Sequence, residues 1–530
     1  MHFPMLLLSA ALLTTASAYT DRKPSLHSRA ACPDYKDYST RRHGPYSTGR
    51  YSLPFQRPST ECRLFTSPAV EAKIKQITSQ LADPDLARLF ENTFPNTLDT
   101  TVRWHQTATP AEASQSFIVT GDINAQWLRD STNQLAQYQS LAPKDPALKT
   151  LLLGAINTQA DYVLESPYCN AFQPPRSSGL APTSNGQNDR VHPTYDPNLV
   201  FECKYEIDSL ASFLSLGNQY YAATGDGSFM TAKWVEAVQT VMQVIEEQST
   251  GTFAPGGRPA DMTYTFSRQT DIGTETLNLG GIGNPLASNT SLIRSAFRPS
   301  DDATIMQFFI PGNAFMSVEL QRTADILSKH SKDPKNKELA KTMAQKSKDI
   351  KKAIYKYGVT THPEFGKVFA YEVDGYGSHV MMDDANLPSL LALPLLGFIE
   401  QDDPLYQSTR KMVLSPKANP YYLPGASFSG IGGPHIGIKN AWPISRLVQA
   451  MTSDDDDEIV ESVEMVLKTA AELGLIHESV EVQQGKEFTR SWFAWANSVF
   501  AHTILDLVER KPGLVIGPKA RLNGKQAKLG

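Results

Sequence analysis

Long apolar stretches are scarce in this chain. The exception is Met1–Ala18, MHFPMLLLSAALLTTASA, whose run falls short of the ~20 residues a bilayer-spanning helix needs. It closes on Ala-Ser-Ala before Tyr19 and reads as a secretory signal peptide, although its start carries His2 and no Lys or Arg. The remainder is expected to be secreted and soluble, with no membrane partner once that segment is removed. Cysteine is scarce too, with four in 530 residues and no Cys-x-x-Cys pair, which speaks against a zinc site. An even count in an oxidising compartment suits disulfides, for which three pairings are open. We favour Cys32–Cys62, stapling an N-terminal arm, and Cys169–Cys203, closing a polar insertion.

A basic excess is absent as well. Lys and Arg total 50 against 55 Asp and Glu, a formal net charge of −5, which argues against nucleic acid and acidic lipid as partners. No low-complexity linker divides the chain and no helical repeat of fixed length recurs, so neither two catalytic domains nor a solenoid is expected. Strand-like material is confined to short runs such as FIVTGD, MTYTFS and VFAYEVD, which suit hairpins at a cleft mouth.

What is plentiful is helical periodicity. It places helices at 70–82, 86–94, 126–140, 146–164, 206–223, 228–247, 303–328, 336–356, 387–397, 403–413, 442–452, 456–473 and 491–509. The expected class is all-α, divided into a signal peptide (1–18), an irregular arm (19–68), one catalytic domain (69–510) and a frayed basic tail (511–530). The acidic run Ser453–Glu458 lacks the spaced ligands and glycine of an EF-hand loop and reads as an ordinary helix start. Asn289-Thr290-Ser291 is a sequon for N-glycosylation.

The starts of these helices share a vocabulary. FRPSDDATIMQFF carries Asp301 and Asp302 after Ser300, which reads as an N-cap placing both acids in a first helical turn. GDINAQWLRDS carries Asp122, Trp127, Arg129 and Asp130; KYEIDS carries Glu206 and Asp208. YEVDGYGSHVMMDDANL adds Asp383 and Asp384, GGPHIGIKNAWPISR adds His435 and Trp442, and HES with FTRSWFAWANSVF adds Glu478, Arg490 and Trp492. Capping explains one or two acids per helix, but not acids, rings and cations gathered at the same end of many. Carboxylates accept hydrogen bonds from sugar hydroxyls and aromatic rings stack on sugar faces, so the rim suits carbohydrate. Two acids on separate loops are what glycoside hydrolysis requires.

The set GDINAQWLRDS, YEID, FRPSDDA, IPGNAF, YEVDGYGSHVMMDDANLPSLL, GGPHIGIKNAWPISR, HES and FTRSWFAWANSVF resembles glycoside hydrolase family 125, the exo-α-1,6-mannosidases, over roughly residues 69–509. The resemblance implies an (α/α)6 barrel with short β-hairpins at the active-site rim. It also implies inverting hydrolysis of terminal α-1,6-linked mannose on a mannose-containing glycan, without metal or other cofactor. By motif, an aspartate of FRPSDDA becomes the general acid, with Asp301 and Asp302 both open and Asp301 favoured as nearer the cap. Glu478 becomes the general base, helped by Arg490 or His477. The acid is expected to be kept protonated by burial or by its neighbouring aspartate. Arg129, Asp130, Asp208, Asp383, Asp384 and His435 are candidate hydroxyl contacts, with Trp127, Trp442 and Trp492 as walls; Phe493 and Trp495 read as core. A monomer is expected. The competing readings are an (α/α)6 glycosidase of other specificity, such as an α-glucosidase or trehalase, a metal-dependent mannosidase, and a mannose-binding lectin without catalysis.

Overall fold

The computed structural model describes residues 32–523, so the signal-peptide reading of 1–18 lies outside the described residues. The helices run α1 (Tyr35–Tyr38), α2 (Pro68–Thr78), α3 (Pro84–Thr93), α4 (Asn96–Thr100), α5 (Leu128–Ala136) and α6 (Pro146–Glu165). They continue with α7 (Ile207–Thr224), α8 (Ala232–Gln248), α9 (Ile310–His330), α10 (Pro334–Tyr357) and α11 (Leu393–Leu396). The chain closes with α12 (Pro404–Val413), α13 (Pro443–Met451), α14 (Asp456–Thr469), α15 (Ala494–Arg510) and α16 (Pro512–Val515). None is long and apolar enough to cross a membrane among the described residues.

Two rows of helices differ in how their sequences bury them. In α5, α7, α9, α13 and α15 nearly every residue of the first turns is buried, polar ones included. These form an inner row in which α15 packs on α5 and α13, α5 on α7, and α7 on α9, with the short α11 also against α9. The helices outside them are amphipathic: α10 buries only Ala340, Met343, Ser347, Ile350, Ala353 and Ile354, a stripe at helical spacing. It packs on α9, as α14 does on α13 and α3 on α15.

The N-termini divide the same way. Outer helices begin at capping side chains, mostly followed by proline: Asp83, Asp145, Asp333 and Asp403 each accept from backbone N–H groups of the first turn. Inner helices begin at Trp127, Glu206, Phe309, Trp442 and Phe493, none of which makes a side-chain cap. A missing cap costs about 1 kcal/mol, and here several cap positions are occupied by residues facing the site. Three antiparallel three-stranded sheets supply much of that end. They join Gln126–Trp127 to Ala171–Phe172 and Val200–Glu202, Phe308–Phe309 to Glu372–Val373 and His379–Val380, and Asn440–Ala441 to Ser479–Glu481 and Phe488–Thr489.

The structure corrects the expected helix start at Ser300. α9 begins ten residues later, at Ile310, and Asp301 lies in a loop with φ +66°. Asp301 N–H donates to Arg298 C=O (2.9 Å), closing a turn with Pro299 in its second position, where fixed φ suits it. The tail is corrected too, as far as it is described: Leu514 and Val515 of α16 are buried, as are Ala520 and Leu522. Both disulfides form as expected, Cys32–Cys62 and Cys169–Cys203. The first staples the arm, whose Tyr35 packs edge-on against Trp492.

The loop carrying Asp301 is anchored by a buried ion pair. Arg298 Nε donates to Glu372 Oε1 at 2.6 Å, and the other Glu372 oxygen accepts the Ile305 and Met306 N–H groups at 2.9 Å. Removing one partner of such a pair strands a charge, so Glu372→Ala is expected to destabilise the fold by about 3–5 kcal/mol. Denaturant unfolding checks this, and a loss below ~1 kcal/mol would show the pair to be inessential.

Candidate active site

The N-termini of α5, α13 and α15 border a cavity lined from separate parts of the chain by Trp127, Arg129, Asp130, Asp301, His435, Trp442, Glu478 and Arg490. Asp301 enters on the turn after Arg298. Its Oδ1 accepts from Asn170 Nδ2 (3.1 Å) and Trp127 Nε1 (3.4 Å), with Arg129 Nη2 at 3.7 Å. Its backbone carbonyl accepts from Lys204 Nζ at 2.9 Å. Asp302 turns inward: it is buried, does not line the cavity, and stands 3.8 Å from His435 Nδ1.

Glu478 enters just before the Ser479–Glu481 strand, between the strands that carry Asn440 and Thr489. Arg490 Nε lies 3.1 Å from Glu478 Oε1 while its Nη1 donates to Asp122 Oδ1 at 2.5 Å. Arg490, like Asp301, takes a positive φ, +49°. Such backbone is uncommon outside glycine and collects at functional sites. His477 is not the helper. It is buried and stacked on Phe488 with ring centroids 3.7 Å apart, and burial lowers its pKa to about 4, leaving it neutral.

Beneath the cavity Arg129 is shared by carboxylates. Its Nη1 donates to Glu206 Oε2 (2.6 Å) and Asp208 Oδ2 (3.1 Å), and its Nε lies 3.5 Å from Asp130. Burial lifts Glu206 well above its usual range against the pull of Arg129, with the charge of Asp301 adding to the rise. Burial likewise pushes Asp208 up to about 6. Asp301 goes the other way: burial opposes ionisation, but Lys204 and then Arg129 hold its carboxyl well below the ordinary range. The expectation of an acid kept protonated by burial or by its neighbouring aspartate is thereby corrected, because the cations beside Asp301 outweigh burial. Asn170 Nδ2 donates to both acids, at 3.1 Å to Glu206 Oε1 and 3.1 Å to Asp301 Oδ1.

Several expected contacts move away from the cavity. Asp208 is a buried counter-ion of Arg129 and does not line it. Asp383 is buried, accepts the Leu390 and Leu391 N–H groups at 2.9 Å, and burial pushes it up to about 8; it organises a loop. Asp384 accepts from Asn386 N–H and Nδ2, thereby setting Asn386 in the cavity wall. Trp492 is no wall either: its Nε1 donates to Asn96 Oδ1 (2.9 Å) and its ring holds the arm. Phe493 and Trp495, read as core, line the cavity as well as the core, and Arg129 stands over the Trp495 ring. Trp442 is a wall, and its Nε1 is buried without a hydrogen-bond partner among the described residues. Asn170 and Lys204 were missed. Their only signal was adjacency to Cys169 and Cys203.

The family model for metal-independent α-mannosidases, glycoside hydrolase family 125, matches residues 83–505. The chain belongs to that family. It is 57% identical over 486 residues to the meiotically up-regulated gene 157 protein of Schizosaccharomyces pombe, covering 92% of this chain and 94% of that protein. Among solved structures it is similar to a Streptococcus pneumoniae metal-independent α-mannosidase in a non-productive complex with α-1,6-mannobiose. That match has 31% identity and a TM-score of 0.77, over 84% of this chain and all of the other.

His435 offers a test by pH. Burial opposes its charge, but the charge of Asp302, 3.8 Å away, outweighs that and pushes it up to about 9. A histidine raised on folding stabilises fully below its unfolded pKa of about 6.5 and loses that contribution as pH rises through the folded value. The melting temperature of the native protein relative to His435→Gln is therefore expected to fall between pH 6.5 and about 9. A pH-independent difference would remove the ion pair.

Proposed function

We propose that the protein is a secreted, exo-acting α-1,6-mannosidase that removes terminal non-reducing mannose with inversion, on a closed (α/α)6 scaffold. Asp301 acts as general acid and Glu478 as general base. The observation that carries this is that Asp301 and Glu478 face one cavity from separate loops while Asp302 is buried outside it. The α-1,6 linkage is supported by the mannobiose in the streptococcal relative.

In this reading Glu478, paired with Arg490, takes a proton from water on one face of the sugar. Asp301 delivers a proton to the departing glycosidic oxygen. That proton is drawn from the Asp301–Glu206 pair, bridged by Asn170. A sugar filling the cavity strips water from Asp301, and desolvation raises its affinity for the proton. Arg129, Asp130 and His435 contact hydroxyls, between Trp127 and Trp442.

Product analysis on α-1,2-, α-1,3- and α-1,6-mannobiose tests the assignment. Turnover on the 1,6 linkage is expected to exceed the others by at least ~100-fold. Preference for another linkage would sink it, and binding without release would favour the lectin. Secretory maturation is supported by the two disulfides and by the exposed Asn289 of the sequon. A mature N-terminus at Tyr19, a glycan on Asn289 and a monomer in solution are the expected state.

A further inference from the structure

The Cys169–Cys203 bridge lies buried, one residue from each of the two groups that grip Asp301. Asn170, next to Cys169, donates from Nδ2 to Asp301 Oδ1 at 3.1 Å. Lys204, next to Cys203, donates from Nζ to the Asp301 carbonyl at 2.9 Å. The two are also tied to each other: Lys204 N–H donates to Asn170 Oδ1 at 3.0 Å. Their strands pair just beyond, Ala171 opposite both Trp127 and Glu202. Asp301 is thus held at carboxylate and carbonyl in a left-handed conformation that an aspartate does not adopt by default.

We propose that the Cys169–Cys203 disulfide is a positioning element of the active site, clamping Asn170 and Lys204 so that together they set the place of the Asp301 carboxyl. The proposal rests on the reading of Asp301 as general acid. The bridge does more than close the loop between residues 169 and 203: it fixes the spacing of a two-point grip on one residue. Opening it releases Asn170 first, since the Asn170 side chain bridges Glu206 and Asp301, the two members of the proton-sharing pair. Leaving-group protonation then suffers before sugar binding does, because Trp442, His435 and Glu478 sit on other loops. In a secretory enzyme this makes oxidation of the pair a condition for full turnover.

The test compares Cys169→Ser/Cys203→Ser with Asn170→Ala, which keeps the bridge and serves if the double variant does not fold. Cys32→Ser/Cys62→Ser controls for loss of a disulfide as such. Each is assayed on α-1,6-mannobiose and on an aryl α-mannoside with a good leaving group, which needs little protonation. Cys169→Ser/Cys203→Ser and Asn170→Ala are each expected to lose ~10–100-fold in kcat on mannobiose and less than ~3-fold on the aryl substrate. Mannose affinity is expected to be unchanged in both, and the control should lower both substrates alike or neither. Equal losses on the two substrates, or none, in the clamp variants would overturn the proposal and leave the bridge a stabiliser only. In an Asp301→Asn background, opening the bridge should add little; a full additional loss would show that it acts elsewhere and also overturn it. If Asp301→Asn alone loses equally on both substrates, the acid assignment itself fails and takes the clamp with it.

Discussion

Asp301→Asn is expected to lose roughly 10²–10⁴-fold in kcat on α-1,6-mannobiose and less than ~10-fold on an aryl mannoside whose leaving group departs without a proton. The amide keeps the hydrogen bond to Trp127 Nε1 through its oxygen but has no proton to give. Asp302→Asn is expected to behave differently, because Asp302 reaches the cavity only through its neighbours: His435, 3.8 Å away, and Ser300, whose Oγ donates to Asp302 Oδ2 at 3.2 Å. Its loss should be smaller and equal on both substrates, as for a residue that positions a sugar contact. The decisive comparison is therefore the ratio of the two substrates within each variant, not the absolute rate. If Asp302→Asn shows the leaving-group dependence and Asp301→Asn does not, the assignment is reversed. Glu206→Gln adds a check on the proton: an amide cannot share one, so its loss should also be larger on mannobiose.

Periodicity located the long helices well because two rows of them must bury large apolar faces, but of the expected helix 387–397 only Leu393–Leu396 is helical, and the short α1, α4 and α16 were not expected. N-cap preference is the main local signal for a helix start, and it works for α6, α10 and α12, which begin at Asp-Pro. α9 starts without such a cap, at Phe309 emerging from a short strand, so cap preference points instead to Ser300, where the chain makes a turn. Arg298-Pro299-Ser300-Asp301 is itself a turn signature, and weighing it against the cap would have placed Asp301 in a loop. Local stability was given up where the site needed side chains, and there local rules fail.

The candidate site was legible where chemistry alone marks a residue. Asp301, Glu478, Arg129, Asp130, His435, Trp127 and Trp442 all line one cavity. What sequence could not separate is a carboxylate that faces sugar from one that faces a backbone or an arginine. Asp383 and Asp208 share a vocabulary with Asp130, yet one accepts two N–H groups and the other balances Arg129. Trp492 and Trp495 lie three residues apart near the start of α15 and part company, one to the arm and one to the cavity. The direction of the Asp301 pKa was illegible for the same reason, because Lys204 and Arg129 reach it through space.

Glu478→Gln is expected to cut turnover by about 10²–10⁴-fold on every α-mannoside, whatever its leaving group, because water must be deprotonated in each case. The amide retains shape, and its oxygen can still accept from Arg490 Nε, the partner 3.1 Å from the native carboxylate. Mannose affinity should therefore change little, which separates this loss from that of a binding residue. The native enzyme supplies the complementary result. If Glu478 activates water rather than attacking carbon, the first product from an α-mannoside is β-mannose, visible in the anomeric proton signals before mutarotation. Azide should not rescue Glu478→Gln through a retained product, since an inverting enzyme forms no glycosyl-enzyme intermediate for it to intercept. Early accumulation of α-mannose would put Glu478 in a nucleophile's place and convert the reading to a double displacement. Arg490 would then stabilise a leaving carboxylate instead of steadying a base.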